Sequence, residues 1–290
     1  MKVKLKQKQE DLNPELKEKL YKLKKELRAM NKVIIAFSGG VDSTFLTKVA
    51  TEVLGNNAIA VTAYSPSIAE KDFRDAINMA KLIGANHKII STEELDNENY
   101  KQNPSNRCYF CKDELYTKLT SLSKEMNIPH IIDGTNYDDL SDYRPGMKAA
   151  SEHDIRSPLK ELGFTKQDIR QLSKFYNLPT HDKPSSPCLS SRVPYGKEIT
   201  PQKLRMIDLA ESLLEDLGFK EFRVRHHDDI ARIEVKAEDI LLIVQNKDII
   251  DKRFKEVGFK FTTLDLREFK SGNLNNAMLK ESVIKLSEIK

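Results

Sequence analysis

The 290-residue sequence has few cysteines, no long apolar stretch and no large excess of either charge. Its three cysteines, Cys108, Cys111 and Cys188, are an odd number that cannot all pair within one chain, which argues against a disulfide framework. No stretch approaches the roughly 18 apolar residues that a membrane span needs. The lysine-rich start lacks the apolar core of a signal peptide. These absences predict a cytoplasmic protein without a membrane partner.

The charge balance excludes one further class of protein. Lysine and arginine number 48 and aspartate and glutamate 44, so the formal net charge is only +4. A chain that coats nucleic acid would need a larger basic excess, so a nucleic-acid partner is not expected. Any anion site must come from a few basic groups placed locally. The 39% hydrophobic and 32% charged residues are typical of a soluble globular chain rather than a disordered one.

Hydrophobic runs of strand length alternate with helical patterns over the first 176 residues. The runs lie at 33–37, 58–63, 87–90 and 130–133, and the helical patterns begin at 41 and cover 71–84, 113–126 and 166–176. Such an alternation of buried strands and helices predicts a doubly wound parallel sheet of the α/β class. A stripe of leucines between Leu12 and Leu27 predicts an amphipathic helix packed on the edge of this domain.

A proline- and serine-rich segment, 178–196, separates this pattern from a different one. Its four prolines exclude a regular helix and favour a loop or hinge. The patterns beyond it predict helices at 201–217 and 247–257 and strands at 221–225, 231–235 and 259–266, whereas 237–245 is ambiguous. We predict two domains: 1–184, the α/β domain with its N-terminal helix, and 185–290, a smaller α+β domain for substrate binding and oligomerisation.

The segment 38–43 (SGGVDS) directly follows an apolar strand and precedes a helix. Its glycines let the backbone turn tightly and bring amide N–H groups against an anion, and the helix N-terminus adds donors and a partial positive charge. Ser38 and Ser43 supply hydroxyl donors. Asp42 does not suit an anion cradle unless a Mg²⁺ ion lies between it and the phosphates. The spacing fits neither the Walker loop nor the Rossmann fingerprint.

This hexapeptide resembles the pyrophosphate loop of the ATP pyrophosphatase (PP-loop) superfamily, whose members cut ATP between the α and β phosphates. The resemblance implies a doubly wound sheet and ATP bound with Mg²⁺ by Ser38, Gly39, Gly40, Asp42 and Ser43. Asn136 ends the stretch 133–136 (DGTN), which follows the fourth strand, where an open α/β sheet places its ligand crevice. By the same resemblance, the end of the second strand at Ala63 is the edge that contacts adenine.

The cysteines leave several interpretations open. Cys108 and Cys111 stand in C-x-x-C spacing before the predicted helix 113–126, and this spacing fits zinc, a redox disulfide or an iron–sulfur cluster. Zinc would need a fourth ligand, for which His181 is the local candidate. Inert thiols are a further possibility. Three thiolates on a [4Fe–4S] cluster would leave one iron open, where it could carry an exogenous sulfide as a nucleophile.

The stretches 186–196 (SPCLSSRVPYG), 223–227 (RVRHH) and 231–234 (ARIE) resemble the sulfur insertases that help to build the nickel-pincer nucleotide of lactate racemase. That family adenylates a carboxylate of a pyridinium biscarboxylate mononucleotide and replaces its oxygen by sulfur. Some members sacrifice one cysteine, and others use three cysteines on a [4Fe–4S] cluster. The cysteine count favours the second type, with Cys188 as a ligand. The resemblance also implies a set of residues for the substrate phosphate and ribose: Ser191, Arg192, Glu211, Arg223 and Arg225.

The sequence therefore predicts an ATP-dependent sulfur transferase that forms AMP and pyrophosphate. Asp42 and Cys188 are its candidate catalytic residues, a mononucleotide and a sulfur donor are its small-molecule partners, and the family favours a homo-oligomer. Arg223 and Arg225 lie two apart on a strand, so both project from one face and could form a phosphate clamp. Three alternatives remain: a tRNA thiolase, sacrificial transfer from Cys188, and an amide-forming synthetase of the NAD or GMP type.

Overall fold

The computed structural model describes residues 12–141 and 145–270, and it divides into two compact units. The first unit comprises the described residues up to Tyr100 together with Ser105–Ser186. The second comprises Lys101–Pro104 together with the described residues from Pro187 onward. The lysine-rich start before residue 12 and the polar tail after residue 270 lie outside the described residues.

A parallel four-stranded sheet forms the centre of the first unit. Its strands are β1 (Val33–Ala36), β2 (Ala58–Tyr64), β3 (Asn86–Ser91) and β4 (His130–Ile132). The helices of the described residues up to 175 are α1 (Pro14–Met30), α2 (Val41–Leu54), α3 (Glu70–Ile83), α4 (Glu98–Lys101), α5 (Arg107–Met126), α6 (Gly146–Glu152), α7 (Pro158–Glu161) and α8 (Lys166–Phe175). The strand order is β3-β2-β1-β4. The chain adds β2 and then β3 on one side of β1, and it then crosses over to add β4 on the other side of β1. The carboxyl ends of β1 and β4 therefore flank the switch point where open α/β sheets bind ligands.

Helices cover both faces of this sheet. On β1, the side chains of Val33 and Ile35 belong to the hydrophobic cluster built with α1, α2 and α8. Ile34, between them, belongs to the cluster on the other face, which α5 and α6 complete. The side chains of successive strand residues point to opposite faces, so a strand covered on both sides reads as one apolar run. This arrangement confirms the predicted doubly wound α/β class.

The N-terminal helix α1 contributes directly to the core. Its leucine stripe, from Leu16 to Leu27, is 0–4% exposed and packs in the same cluster as α2. The side chain of Asn13 caps the helix by accepting hydrogen bonds from the backbone N–H groups of Glu15 (2.7 Å) and Leu16 (3.3 Å). Such a cap satisfies donors that the first helical turn leaves without partners. The predicted amphipathic helix is therefore confirmed.

The second unit has a smaller sheet with helices on one face, and it confirms the predicted α+β character. Its elements are α9 (Pro201–Asp216), β5 (Phe222–His227), β6 (Ile230–Val235), α10 (Ile240–Gln245), α11 (Lys247–Val257) and β7 (Phe261–Leu264). The strand order is β5-β6-β7, with β5 antiparallel and β7 parallel to β6. The ambiguous stretch 237–245 forms a short 3₁₀ turn followed by α10.

The proline-rich segment contains no regular α-helix. Two short 3₁₀ turns, Pro179–Asp182 and Leu189–Arg192, interrupt it, as its prolines led us to expect. No helix within residues 12–141 and 145–270 combines the length and the apolar character that crossing a membrane requires.

Candidate nucleotide and sulfur-transfer site

The loop between β1 and α2 lies at the switch point of the sheet. Gly39 has a φ of +69°, and a Cβ there would lie 2.7 Å from the Cα of Ala76 on α3, so the position requires glycine. The Ser38 and Ser43 hydroxyls lie 3.1 Å apart across the loop. Helix α2 begins after Gly40 without a side-chain cap. Its N-terminal amides can therefore donate to an anion, together with the helix dipole.

The loop after β4 packs directly on the first turn of α2. A Cβ at Gly134 would lie 2.8 Å from the backbone nitrogen of Ser43 and 3.2 Å from the carbonyl carbon of Asp42. The side chain of Asp133 holds this loop by accepting hydrogen bonds from the hydroxyls of Tyr116 (2.9 Å), Thr135 (2.8 Å) and Ser157 (2.8 Å). The structure thus brings the two loops into contact.

Asn136 and Ala63 lie at the same carboxyl edge of the sheet. The Asn136 side chain is 2% exposed, and its carbonyl oxygen accepts from the backbone N–H groups of Asp138 (2.9 Å) and Asp139 (3.3 Å). Asn136 therefore shapes the 3₁₀ turn that leads out of the site. Ala63, near the end of β2, is half-buried and pairs in register with Ile90. Parallel strands end at a common edge, so these residues share it with the phosphate loop.

Asp42 has the surroundings of a metal ligand. The Lys166 ammonium donates to its Oδ2 at 2.6 Å, whereas its Oδ1 is buried without a hydrogen-bond partner. A buried carboxylate oxygen that lacks a donor is costly unless a cation or a ligand satisfies it. Oxygen is also the donor that Mg²⁺ prefers. The residues present therefore fit a magnesium ion at Asp42. Lys166 is the first residue of α8, and no sequence pattern indicates that it reaches a loop 124 residues away.

Cys108 and Cys111 lie within α5, which corrects the prediction that they stand before the helix. The helix begins at Arg107 rather than at residue 113. Residues three apart on a helix lie on the same face, so the two thiols can serve one metal group. Cys108 is exposed and Cys111 half-buried. Within the described residues, no three of the histidine, cysteine and carboxylate side chains form a preassembled metal centre.

Lys112 is a neighbour of this pair that sequence reasoning missed. Its ammonium lies 5.3 Å from the centroid of the Tyr116 ring. The charge interaction with Tyr116 raises the pKa of Lys112, burial opposes the rise, and Asp133 and Cys111 raise the pKa further. Burial raises the pKa of the Tyr116 phenol as well. The Lys112 ammonium therefore places a positive charge near Cys111.

Cys188 lies in the second unit, immediately before the turn Leu189–Arg192. Arg192 is 3% exposed, and its Nη1 donates to the backbone carbonyls of Pro187 (2.6 Å) and Cys188 (3.0 Å). Its Nε and Nη2 form a bidentate pair with Glu211 at 3.0 and 2.9 Å. Arg192 therefore holds the backbone at Cys188, a role that its prediction as a phosphate ligand did not include.

The two arginines of the predicted clamp lie on one face of β5 but differ in their surroundings. Arg225 is 6% exposed, and its Nε and Nη2 pair with the Glu234 carboxylate at 3.0 and 2.9 Å. Its Nη1 donates to the carbonyl oxygen of Ser191 at 2.8 Å. The guanidinium of Arg223 lies 5.1 Å from the centroid of the Phe269 ring. A guanidinium has five N–H donors, so the three bonds of Arg225 leave two for a ligand.

Most of the predicted substrate residues form one connected network within the second unit. Glu211 on α9 pairs with Arg192 and also accepts from the backbone N–H of Val224 at 3.0 Å. The hydrogen bond that Arg225 Nη1 donates to the carbonyl oxygen of Ser191 completes the network. The structure therefore brings together Ser191, Arg192, Glu211 and Arg225 from a turn, a helix and a strand. Their role toward a substrate stays a prediction.

His226, the residue after Arg225, is buried in the second unit. His226 is 4% exposed, and neither ring nitrogen has a hydrogen-bond partner within the described residues. Its ring centroid lies 5.2 Å from that of Phe259. Burial lowers the pKa of His226 to about 4, and the charge of Lys203 adds to the decrease. The ring is therefore a neutral core group at physiological pH.

Comparison with known proteins gives the chain clear relatives. A family model described as NAD synthase matches residues 14–132. A protein of Synechocystis sp. is 46% identical over 267 residues, which cover 91% of this chain and 100% of the relative. The pyridinium-3,5-bisthiocarboxylic acid mononucleotide synthase of Lactiplantibacillus plantarum is 36% identical over 255 residues, which cover 88% and 92%. One subunit of a glutamine-hydrolyzing GMP synthase from Saccharolobus solfataricus is 24% identical, covering 73% and 61%.

Proposed function

Since this chain belongs to the same family as the Lactiplantibacillus synthase, within the PP-loop superfamily, we propose that it inserts sulfur into a carboxylate of a pyridinium mononucleotide. The family relationship confirms the predicted superfamily and an ATP-dependent enzyme. The observation that carries the proposal is the identity of 36% along nearly the whole length of both chains. The uncapped loop at the switch point, beside Asp42, supports the ATP-binding part of it.

The proposed first step joins the substrate to AMP. A carboxylate oxygen of the substrate attacks the α phosphorus of ATP, and the bond from that phosphorus to the bridging oxygen breaks and releases pyrophosphate. The amides of Gly39 and Gly40 and the hydroxyls of Ser38 and Ser43 would bind the departing pyrophosphate. Mg²⁺ at Asp42 would supply positive charge to the phosphates. The protein contributes mainly by positioning the two reactants.

The proposed second step replaces oxygen by sulfur. A sulfide nucleophile attacks the acyl carbon of the adenylate, and AMP leaves with the original carboxylate oxygen. The products are a thiocarboxylate, AMP and one proton released from hydrosulfide. The step is a displacement without a change of oxidation state, so it needs no oxidant or reductant.

We assign the sulfur-carrying role to the three cysteines. Cys108 and Cys111 on one face of α5 fit two positions of an iron–sulfur cluster, and Cys188 would supply the third ligand. A [4Fe–4S] cluster with one open iron would supply the sulfide. Lys112 would favour the thiolate of Cys111. Sacrifice of the Cys188 sulfur is the rival route, and it would leave the pair on α5 without a function.

The second unit would bind the mononucleotide, with Ser191, Arg192, Glu211, Arg223 and Arg225 around its phosphate and ribose. We propose the predicted C-terminal domain, residues 185–290, for homo-oligomer contacts, and we propose a cytoplasmic enzyme that receives sulfur from a separate donor. The relationship to GMP synthase, at 24% identity, raises the amide-forming rival. That reaction needs ammonia and no cysteines, so it would leave all three without a purpose. A tRNA thiolase is disfavoured by the net charge of +4.

The decisive experiment combines metal analysis with product analysis. The full chain is purified without oxygen, its iron, sulfide and visible absorbance are measured, and it is incubated with ATP, Mg²⁺, sulfide and pyridinium-3,5-biscarboxylate mononucleotide. We expect AMP, pyrophosphate and thiocarboxylate in equal amounts and about four irons per chain, as a cubane cluster requires. AMP formation that depends on ammonia or tRNA instead would exclude the proposal.

One variant, with a matched control, separates the cluster from the sacrificial route. Cys108→Ala should prevent cluster assembly and stop sulfur transfer, while exchange of labelled pyrophosphate into ATP continues. Under the sacrificial route the same variant would keep one turnover, and the wild-type chain would lose the mass of one sulfur. Asp42→Asn is the matched control for adenylation, because it should abolish pyrophosphate exchange and leave the iron content unchanged.

A further inference from the structure

Residues 181–186, called the Cys188 segment because they lead to Cys188, are held within the first unit by charged side chains. The Lys183 ammonium lies 3.2 Å from Oδ1 of Asp72 and 3.3 Å from Oδ2 of Asp75, both on the first two turns of α3. The Ser186 hydroxyl donates to the other oxygen of Asp72. These contacts fix the last residues of the first unit on one helix.

A second helix holds the same segment through its backbone. Arg170 on α8 donates from Nη1 to the carbonyl oxygen of His181 at 2.7 Å and from Nη2 to that of Lys183 at 2.9 Å. The segment has no regular helix or strand of its own beyond the 3₁₀ turn Pro179–Asp182, so it needs such partners to adopt one conformation. Lys183 thus joins α3 through its ammonium and α8 through its carbonyl.

Helix α3 is also the element on which the phosphate loop rests. Ala76 follows Asp75 directly, and it is the residue that leaves no room for a side chain at Gly39. One turn of α3 therefore contacts the loop and the Lys183 ammonium. Cys188 follows Ser186 by two residues, which span about 7 Å at most. The Lys183 contacts therefore hold, within the first unit, the residues from which the chain continues to Cys188.

We propose that Lys183, paired with Asp72 and Asp75, is a positioning residue that holds the Cys188 segment for the sulfur-transfer step. The catalytic part of this inference rests on the proposed function, whereas the restraint on Cys188 does not. Neither sulfur chemistry nor ATP binding needs Lys183 as a direct ligand. Its loss should therefore affect sulfur transfer and spare adenylation.

The first measurement is independent of function. The rate at which iodoacetamide alkylates Cys188 in the full-length chain is followed by peptide mass spectrometry, for wild type, Lys183→Met and Lys183→Arg at equal measured iron content. Loss of two partly exposed ion-pair contacts should increase this rate about three- to fivefold in Lys183→Met. Lys183→Arg should restore the wild-type rate. Lys81→Met, an exposed lysine in the last turn of α3, is the matched control. An unchanged Cys188 rate in Lys183→Met would overturn the inference.

The second measurement separates the two half-reactions. Lys183→Met should keep pyrophosphate exchange into ATP within about twofold and lose most of the thiocarboxylate formation, and Lys183→Arg should recover it. An equal fall in both half-reactions would show a general structural role and overturn the positioning role. If wild type forms no thiocarboxylate while Cys188 alkylation still responds to Lys183→Met, the proposed function fails and the restraint on Cys188 stands.

Discussion

Replacement of Gly134 by alanine should weaken ATP binding, because the loop after β4 rests on the backbone of the phosphate loop. The new Cβ would lie 2.8 Å from the backbone nitrogen and 3.0 Å from the Cα of Ser43. Neither atom belongs to a flexible side chain that could turn away. One of the two backbone segments would have to move by about 0.6 Å to reach ordinary contact distance. Asp133 holds the β4 loop by hydrogen bonds from three hydroxyls, so the α2 N-terminus should share the displacement.

The magnitude follows from the cost of overpacking, which is about 1–3 kcal/mol for an added methyl group without space. If the displaced amides of α2 carry this cost in the ATP complex, the dissociation constant for ATP should rise about 5- to 150-fold. A displacement of this size at reacting groups is known to reduce rates to a comparable extent. Isothermal titration with a non-hydrolysable ATP analogue and Mg²⁺ measures the change.

Gly84→Ala provides the matched control. Gly84 ends α3 with a φ of +74° and has open space around it, so alanine there costs about 1 kcal/mol of backbone strain and touches no part of the site. It should lower the melting temperature and leave ATP affinity unchanged. Gly134→Ala with wild-type affinity and wild-type melting temperature would refute the close contact between the two loops.

Three further predictions concern stability. The free energy of unfolding should fall by about 2 kcal/mol between pH 7.5 and pH 5, because the pKa of His226 is about 4 in the folded chain and about 6.5 in the unfolded chain. Urea denaturation of wild type and His226→Phe at both pH values measures this fall. An equal fall in the two proteins would contradict the prediction. Leu23→Ala should lower the free energy of unfolding by about 3 kcal/mol, whereas Lys22→Ala, at an exposed position of the same helix, should lower it by less than about 0.5 kcal/mol. Similar urea midpoints for the two variants would show that α1 lies outside the core. Arg225→Met should lower the free energy of unfolding by about 3 kcal/mol, because the buried carboxylate of Glu234 loses one of its two arginine partners. Arg223→Met should lower it by less than about 1 kcal/mol. Both variants should raise KM for the mononucleotide, and a normal KM in either would show that its arginine does not bind the substrate.

The fold could be predicted largely from the sequence because its signals are local. The apolar run at 33–37 followed by two glycines identifies a buried strand and the start of a helix, and the prolines of 178–196 identify an irregular segment. The start of α5 was predicted too late, at residue 113 instead of Arg107. The stretch from Arg107 to Lys112 carries no apolar periodicity on its own, and it makes tertiary contacts such as the hydrogen bond that the Tyr109 hydroxyl donates to Glu152 on α6 at 2.6 Å.

The candidate site could be predicted only in part, because contacts between residues that are far apart in the chain produce no local sequence pattern. Nothing near Asp42 indicates that Lys166 pairs with it, and nothing near Gly134 indicates that its backbone touches Ser43. Likewise, two arginines in alternate positions on a strand predict a shared face. The pattern does not show that the guanidinium of Arg225 donates hydrogen bonds to the Glu234 carboxylate.

The contacts of α3 also explain why the two half-reactions should respond separately to substitution. Ala76 supports the phosphate loop through close packing against a glycine, and a change there would displace the amides that bind pyrophosphate. Asp72 and Asp75 act on the Cys188 segment through ion pairs with Lys183, which are weaker and partly exposed. The close packing of Ala76 against Gly39 and the partly exposed ion pair of Asp75 with Lys183 lie on the same turn of α3, and they predict two classes of variant. Substitutions at Ala76 should stop adenylation and with it the whole reaction, whereas substitutions at Asp75 should slow only the transfer of sulfur.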